Sequence, residues 1–179
     1  KNDQEKLYHH RWGSNNSFNA EVGMDYTWHA EQSQKNGEPG YIWLDNARTR
    51  GRFKDPERFD DVNVAGFNPC VEQQLEDAEL CCLVETYPAK HEDLDDYLRT
   101  LKIAYLYGKT ITLSNTHWPE TNAKMLKNRR IGLSQSGVVQ AFSKFGRREV
   151  YDMCDRDYAY VQQLDEEYSN WLCIPKSIR

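Results

Sequence analysis

The sequence has no apolar run approaching the roughly 18 to 20 residues that cross a bilayer. Its opening residues, Lys1 to Lys6, hold no signal-peptide core. It also lacks an excess of positive charge. The 23 Lys and Arg against 28 Asp and Glu leave a net charge of −5, which disfavours a nucleic-acid binder working through a global positive field. Cys70, Cys81, Cys82, Cys154 and Cys173 include no CxxC pair, the spacing that marks a zinc framework, so no metal site is expected. Five is an odd count in a chain of 179 residues, much larger than the small disulfide scaffolds, and structural pairing is not the default. No repeat, low-complexity tract or Pro/Gly/Ser linker divides the chain. The expectation is one soluble, cytoplasmic unit spanning 1–179, with neither membrane nor nucleic acid as a partner, and its 39% hydrophobic content supports a sizeable core.

Helical periodicity is strongest over 92–109. There Leu94, Tyr97, Leu98, Leu101, Ala104, Tyr105 and Leu106 share one face, and Glu92, Asp93, Asp95 and Asp96 sit where the helix dipole favours acids. A second helix is expected over 148–172, with Tyr151, Cys154, Tyr158, Val161, Leu164, Tyr168 and Trp171 at helical spacing and Pro175 beyond its end. The run from Glu79 to Tyr87 is apolar and partly β-branched, and Pro88 closes it, the pattern of a buried strand. Cys81 and Cys82 then face opposite sides, and Cys82, Cys154 and Cys173 are read as core residues. Tyr41 to Leu44 reads as a short buried strand or first helical turn. Arg130 to Leu133 reads as a strand or turn that feeds a helix near 138–142. The stretch 12–38 is polar, and 45–66, with Arg48, Arg50, Arg52, Lys54 and Arg58 among acids, reads as a solvated loop. Helices alternating with short strands argue for an α/β fold.

The densest group of reactive side chains is Gly66 to Gln73. A thiol at Cys70, a carboxylate at Glu72 and an amide at Asn68 share one short turn stiffened by Pro69. These are the groups needed for a reactive cysteine beside a general base and a hydrogen-bond donor. Cys81 follows on the expected strand, and a redox enzyme needs such a second thiol for a dithiol/disulfide couple. Other groups rank lower. Gly132 to Gly137 superficially suggests a phosphate loop, but no Lys-Ser/Thr follows Gly137 and it reads as a helix entry. His117 beside Trp118 and Pro119 could serve Cys70 only in a thiol hydrolase, for which no third triad member is identifiable. His9 and His10 read as terminal and solvated. Lys124, Lys127, Arg129 and Arg130 could meet phosphates or form a solvated face, and Trp12, Ser14, Asn15 and Asn16 could line a cavity.

Together, GFNPCVEQQLEDAELCCLVETYPA, YLRTLKIAYLYGKTITL, THWPETNAKMLKNRRIGLSQSGVVQAF and YSNWLCIPKSIR resemble the adenosylcobalamin-dependent (class II) ribonucleoside-triphosphate reductases. RWGSNNSFNAEVGMDY and NGEPGYIWLDN resemble the segment before the finger loop of that family, so the resemblance runs from about residue 11 to 179. It implies part of a ten-stranded α/β barrel of the ribonucleotide reductase and glycyl-radical type, with Asn68 to Glu72 as its finger loop. Cys70 then resembles the thiyl-radical cysteine that abstracts the ribose 3′ hydrogen, Glu72 the acceptor of the 3′-hydroxyl proton, and Asn68 a hydrogen-bonding partner of the ribose. Cys81 is similar to one member of the reducible pair. The implied cofactor is adenosylcobalamin. The implied partners are a ribonucleoside triphosphate, a dithiol reductant such as thioredoxin, and further segments or subunits that complete the barrel.

Val71 stands where the family usually has Gly, placing a β-branched residue where backbone freedom is common. The chain is also much shorter than the family's catalytic chains, does not begin with Met, and ends at Arg179. The expectation is a middle slice of the barrel, either a fragment or one subunit of a split enzyme, inactive by itself. The competing reading is a noncatalytic structural piece that works only when the barrel is completed.

Overall fold

The computed structural model describes residues 15–51 and 56–178. His9, His10, Trp12, Ser14, Arg52 and Lys54 lie outside the described residues. The chain divides into two compact units, 1–77 and 78–179.

In the first unit, β1 (Ser17–Asn19) pairs in parallel with β2 (Gly40–Ile42), Phe18 opposite Tyr41. Helix α1 (Thr27–Asn36) makes the crossover between them. Gly37 ends α1 at φ 76, its N–H donating to the Ser33 carbonyl at 2.8 Å, a left-handed cap that glycine adopts without a Cβ penalty. Aromatic rings fill the space under the crossover: Phe18 stacks on His29 at 4.0 Å and meets Tyr41 edge-on at 5.0 Å. Sequence periodicity does not announce α1, because Gln32 is its one buried residue and no apolar stripe exists. Helix α2 (Leu44–Thr49) likewise occupies the start of the stretch expected to be a loop. Its Arg48 Nε donates to the Val64 carbonyl at 3.0 Å, so this arginine works structurally rather than in a solvated run. Arg50 and Arg58 do sit at the surface, paired with Glu57 and Asp60. Tyr41 and Trp43 are partly exposed, unlike the buried run expected there, because among the described residues β2 has β1 as its one strand neighbour. The unit ends in a hairpin of β3 (Gly66–Phe67) and β4 (Gln74–Leu75).

In the second unit, β5 (Leu83–Thr86) pairs in parallel with β6 (Gly132–Gln135). Between them run α3 (Leu94–Ile111) and α4 (Pro119–Asn128). After β6 come α5 (Val138–Phe145) and α6 (Arg147–Leu172). Helix α3 starts where its sequence directs: Asp93 caps it by accepting from the Asp96 N–H at 2.8 Å. It lies close on the sheet at Gly108, where a Cβ would stand 3.0 Å from Ile131 and 3.2 Å from Val84. Two apolar clusters join α3 to the rest. Tyr97 and Leu101 pack with Ala141, Val150 and Met153, and Tyr105 packs with Ile131, Leu164 and Tyr168. Thr86 ties the strand ends to α3, contacting the Tyr97 hydroxyl at 2.8 Å and donating to the Ser134 carbonyl at 2.7 Å.

Strand β5 is shorter and more open than its apolar sequence implies, with Leu83 and Leu80 exposed, because among the described residues only β6 pairs with it. Helix α6 covers the expected range, but it buries Val150, Met153, Asp157, Leu164 and Tyr168, while Tyr151, Cys154 and Trp171 are exposed. A carboxylate in the middle of the buried stripe disguises it. Cys173 is also exposed, at φ 56 in the left-handed position that ends α6, so neither Cys154 nor Cys173 is a core residue.

Asp157 is buried on α6, and neither carboxylate oxygen has a hydrogen-bond partner. Burial pushes its carboxyl up from 3.8 to about 6, opposed only in part by Arg156. The folded state therefore binds this proton more tightly than the unfolded chain. The resulting stability is complete below 3.8 and is lost as pH rises through about 6. Up to about 3 kcal/mol is at stake at about 1.4 kcal/mol per unit. Asp157→Asn is expected to remove this pH dependence from the amide-exchange protection of α6, corrected for intrinsic exchange. An unchanged pH profile would count against the assignment.

Candidate functional site

The hairpin loop Asn68–Gln73 is built around one amide. The Asn68 N–H donates to the Gln73 carbonyl, and the Gln73 N–H donates to Asn68 Oδ1, both at 3.0 Å. The Val71 N–H donates to the Asn68 carbonyl at 2.9 Å, closing a turn with Pro69 in its second position, where a fixed φ suits the turn. Asn15 clasps the turn from outside, its Nδ2 donating to the Pro69 carbonyl at 2.9 Å. The remaining arm of Asn68, Nδ2, donates to Glu72 Oε1. Asn68 is thus buried beneath the loop, while Cys70 and Glu72 are exposed above it. A thiol open to reactants stands two residues from a carboxylate held by an amide, the side-chain types that general-base work beside a reactive sulfur uses.

Val71 meets the turn at φ 67. A left-handed backbone costs an L-residue about 1–2 kcal/mol, and a β-branched side chain makes it a conformational outlier. Val71→Gly removes that cost and returns about 0.5–1 kcal/mol of it as chain entropy. The variant is expected to stabilise the hairpin by up to about 1 kcal/mol, read as slower exchange of the Gln73 amide. Faster exchange would show that the valine is not strained.

Gln73 is the residue of this loop that sequence reasoning did not single out. It is buried, and both side-chain polar atoms lack hydrogen-bond partners. Asn15, by contrast, was a cavity candidate and proves to be a clasp on the loop.

Cys81 belongs to the second unit. It is exposed and its neighbour Cys82 is buried, as the alternation expected. Burial, with Cys81 and Glu79 nearby, pushes the Cys82 thiol up and makes it a poor nucleophile. All five cysteines are thiols rather than disulfides. The basic cluster expected on α4 is not one surface. Arg130 is buried against Glu79 at 3.2 Å, and Arg129, also buried, donates to the carbonyls of Leu126 and Thr112. Both guanidiniums face the interior because the chain turns left-handed at Arg129, φ 47, to leave α4. His117 is exposed, its ring edge-on to Trp118. Gly137, at φ 78, opens α5 as a small-residue helix entry. Among the described residues, no three His, Cys, Asp or Glu side chains converge as metal ligands, and no helix is long and apolar enough to cross a membrane.

No protein-family model matches the chain. Curated proteins do. A probable adenosylcobalamin-dependent ribonucleoside-triphosphate reductase of Dictyostelium discoideum is 51% identical over 169 residues, 94% of this chain and 22% of that protein. An adenosylcobalamin-dependent ribonucleoside-triphosphate reductase of Euglena gracilis is 49% identical over 94% of this chain and 23% of that protein. A crystal structure of a B12-dependent (class II) ribonucleotide reductase superposes with a TM-score of 0.85 at 31% identity, over 99% of this chain and 29% of that one. The chain belongs, as a segment, to the class II ribonucleotide reductases. It spans about a fifth to a quarter of the length of the curated relatives named here. The α/β class expected from the sequence agrees with this match, the two parallel strand pairs and their helices being a piece of the class II reductase fold.

Proposed function

We propose that this segment supplies the reacting loop of an adenosylcobalamin-dependent reductase that converts ribonucleoside triphosphates to deoxyribonucleotides. The observation that carries the reading is the Asn68–Gln73 loop, which presents an exposed thiol beside a carboxylate bound by a buried amide. Cobalamin carries its cobalt within its own macrocycle and asks this loop for an accessible thiol, which Cys70 provides. The bound cofactor supplies homolytic cleavage of a cobalt–carbon bond and thus an acceptor for one hydrogen atom.

Cys70 gives up its thiol hydrogen and, as a thiyl radical, takes the ribose 3′ hydrogen. Glu72 accepts the 3′-hydroxyl proton, and Asn68 keeps that carboxylate in place through Nδ2. The 2′-hydroxyl leaves as water while two thiols, Cys81 and a partner outside this segment, lose two electrons and two protons and join as a disulfide. Hydrogen returns from Cys70 to the 3′ carbon, Glu72 returns its proton to the 3′ oxygen, and Cys70 recovers the hydrogen it first gave up. A dithiol protein of the thioredoxin type then reduces the disulfide, and the remaining barrel segments enclose the radical from water and oxygen. Five cysteines held as thiols rather than disulfides suit the reducing cytoplasm.

The test is turnover by the intact reductase that contains this segment, supplied with ribonucleoside triphosphate, a dithiol and adenosylcobalamin. Deoxyribonucleotide should form and cease when the cofactor is withheld. Equal turnover without cobalamin would overturn the reading.

A further inference from the structure

The short segment Glu79–Cys82 leads into β5, and it is fixed at both ends to one stretch of chain. At its start, Glu79 Oε1 accepts from Arg130 Nε at 3.2 Å and from Asn128 Nδ2 at 3.1 Å. At its end, the Cys82 carbonyl accepts from the Gly132 N–H at 2.8 Å. The Glu79 and Arg130 side chains are 0% and 1% exposed. The receiving stretch is itself immobilised. The Asn128 carbonyl accepts from the Ile178 N–H at 2.9 Å, and Arg129 caps α4 with its guanidinium on two carbonyls. Between the two anchors lie Leu80 and Cys81, both exposed.

Burying an ion pair is a poor way to gain stability, because each ion loses several kcal/mol of hydration and apolar side chains of similar volume often do as well. The pair does define position. In extended chain, a slip of one residue exchanges the side chains on the two faces. Buried Cys82 lies between exposed Cys81 and Leu83, so a slip that carries Cys81 into its place would turn Cys82 outward and Cys81 inward.

We propose that Glu79 and Arg130 are positioning residues for the Cys81 thiol, their buried pair locking the register that presents Cys81 and hides Cys82. The consequence for turnover rests on the reading of Cys81 as a redox thiol, but the consequence for register does not.

The experiment uses the intact reductase and two readouts. Brief alkylation followed by mass spectrometry reports which thiol is presented. A single turnover by prereduced protein without external dithiol reports whether that thiol delivers electrons. Wild type should label at Cys81 and leave Cys82 protected. Glu79→Gln keeps an acceptor oxygen but removes the charge that faces Arg130. It should lose the protection of Cys82, and its single-turnover rate should fall about a hundredfold, the cost of displacing a reacting group by roughly 1 Å, with the nucleotide KM unchanged. Arg130→Lys keeps the charge with a shorter reach and should give a smaller change in the same direction. Wild-type labelling in both variants overturns the proposal. If Glu79→Gln exposes every thiol alike, Arg130→Lys decides: wild-type labelling there reduces the pair to plain structural support and overturns its positioning role. Full single turnover by Cys81→Ser would overturn the redox reading instead, leaving the register result to stand on its labelling.

Discussion

Cys70→Ser in the intact reductase should abolish deoxyribonucleotide formation, a loss of at least about a thousandfold, as expected when the group that makes and breaks bonds is removed. The fold gives little reason for a structural cost. Cys70 is exposed at the tip of the loop, and the bonds that close the loop run through Asn68, Val71 and Gln73. Serine is nearly isosteric, and its hydroxyl can face solvent as the thiol does. Nucleotide binding should therefore persist while chemistry stops, because an O–H bond is too strong to give up its hydrogen in the way a thiol does. Retained turnover would remove Cys70 from the reaction.

Lys109→Met should destabilise the second unit by about 3–5 kcal/mol, the usual result of leaving a buried charge without its partner. Lys109 is 0% exposed and donates to Asp165 Oδ1 at 2.7 Å and to the Pro175 carbonyl at 3.0 Å. Asp165 also receives the Ser169 hydroxyl at 3.2 Å and the Ser177 N–H at 3.0 Å. One ion pair thus pins the segment after α6 against α3. Burial pulls the Lys109 ammonium down from its ordinary value, and the bond to Asp165 opposes that shift. In Lys109→Met the Asp165 carboxylate stays buried and the Pro175 carbonyl loses its shorter bond, keeping the Ser169 hydroxyl at 3.3 Å. The Ser177 and Ile178 amides should then exchange far faster than in wild type. Adding Asp165→Leu should recover part of the loss, since it removes the stranded charge. A double variant no better than the single one would show that the tail depends on hydrogen bonds to Asp165 rather than on charge balance.

What the sequence discloses depends on whether a structure is locally encoded. Helix α3 is legible because its apolar face repeats at helical spacing and Asp93 caps it. The extent of α6 is legible and its buried face is not, since Asp157 interrupts the stripe that Val150 and Met153 begin. Helix α1 is hidden because its packing comes from Phe18 and Tyr41 on the strands it connects. In the Asn68–Gln73 loop, Asn68, Cys70 and Glu72 are neighbours and can be read directly, and the unusual valine beside them is where the backbone turns left-handed. The Asn15 clasp and the Glu79 to Arg130 pair join residues 54 and 51 positions apart. No local pattern encodes such contacts, and so Arg130 looked like one more surface charge.

The most direct test of the central claim, that the Asn68–Gln73 loop directs a thiyl radical at the ribose 3′ position, is a competition between 3′-deuterated and unlabelled ribonucleoside triphosphate in the intact reductase. The account predicts that the unlabelled nucleotide is consumed faster, because the hydrogen taken by Cys70 is the one replaced. Equal consumption of the two would contradict it.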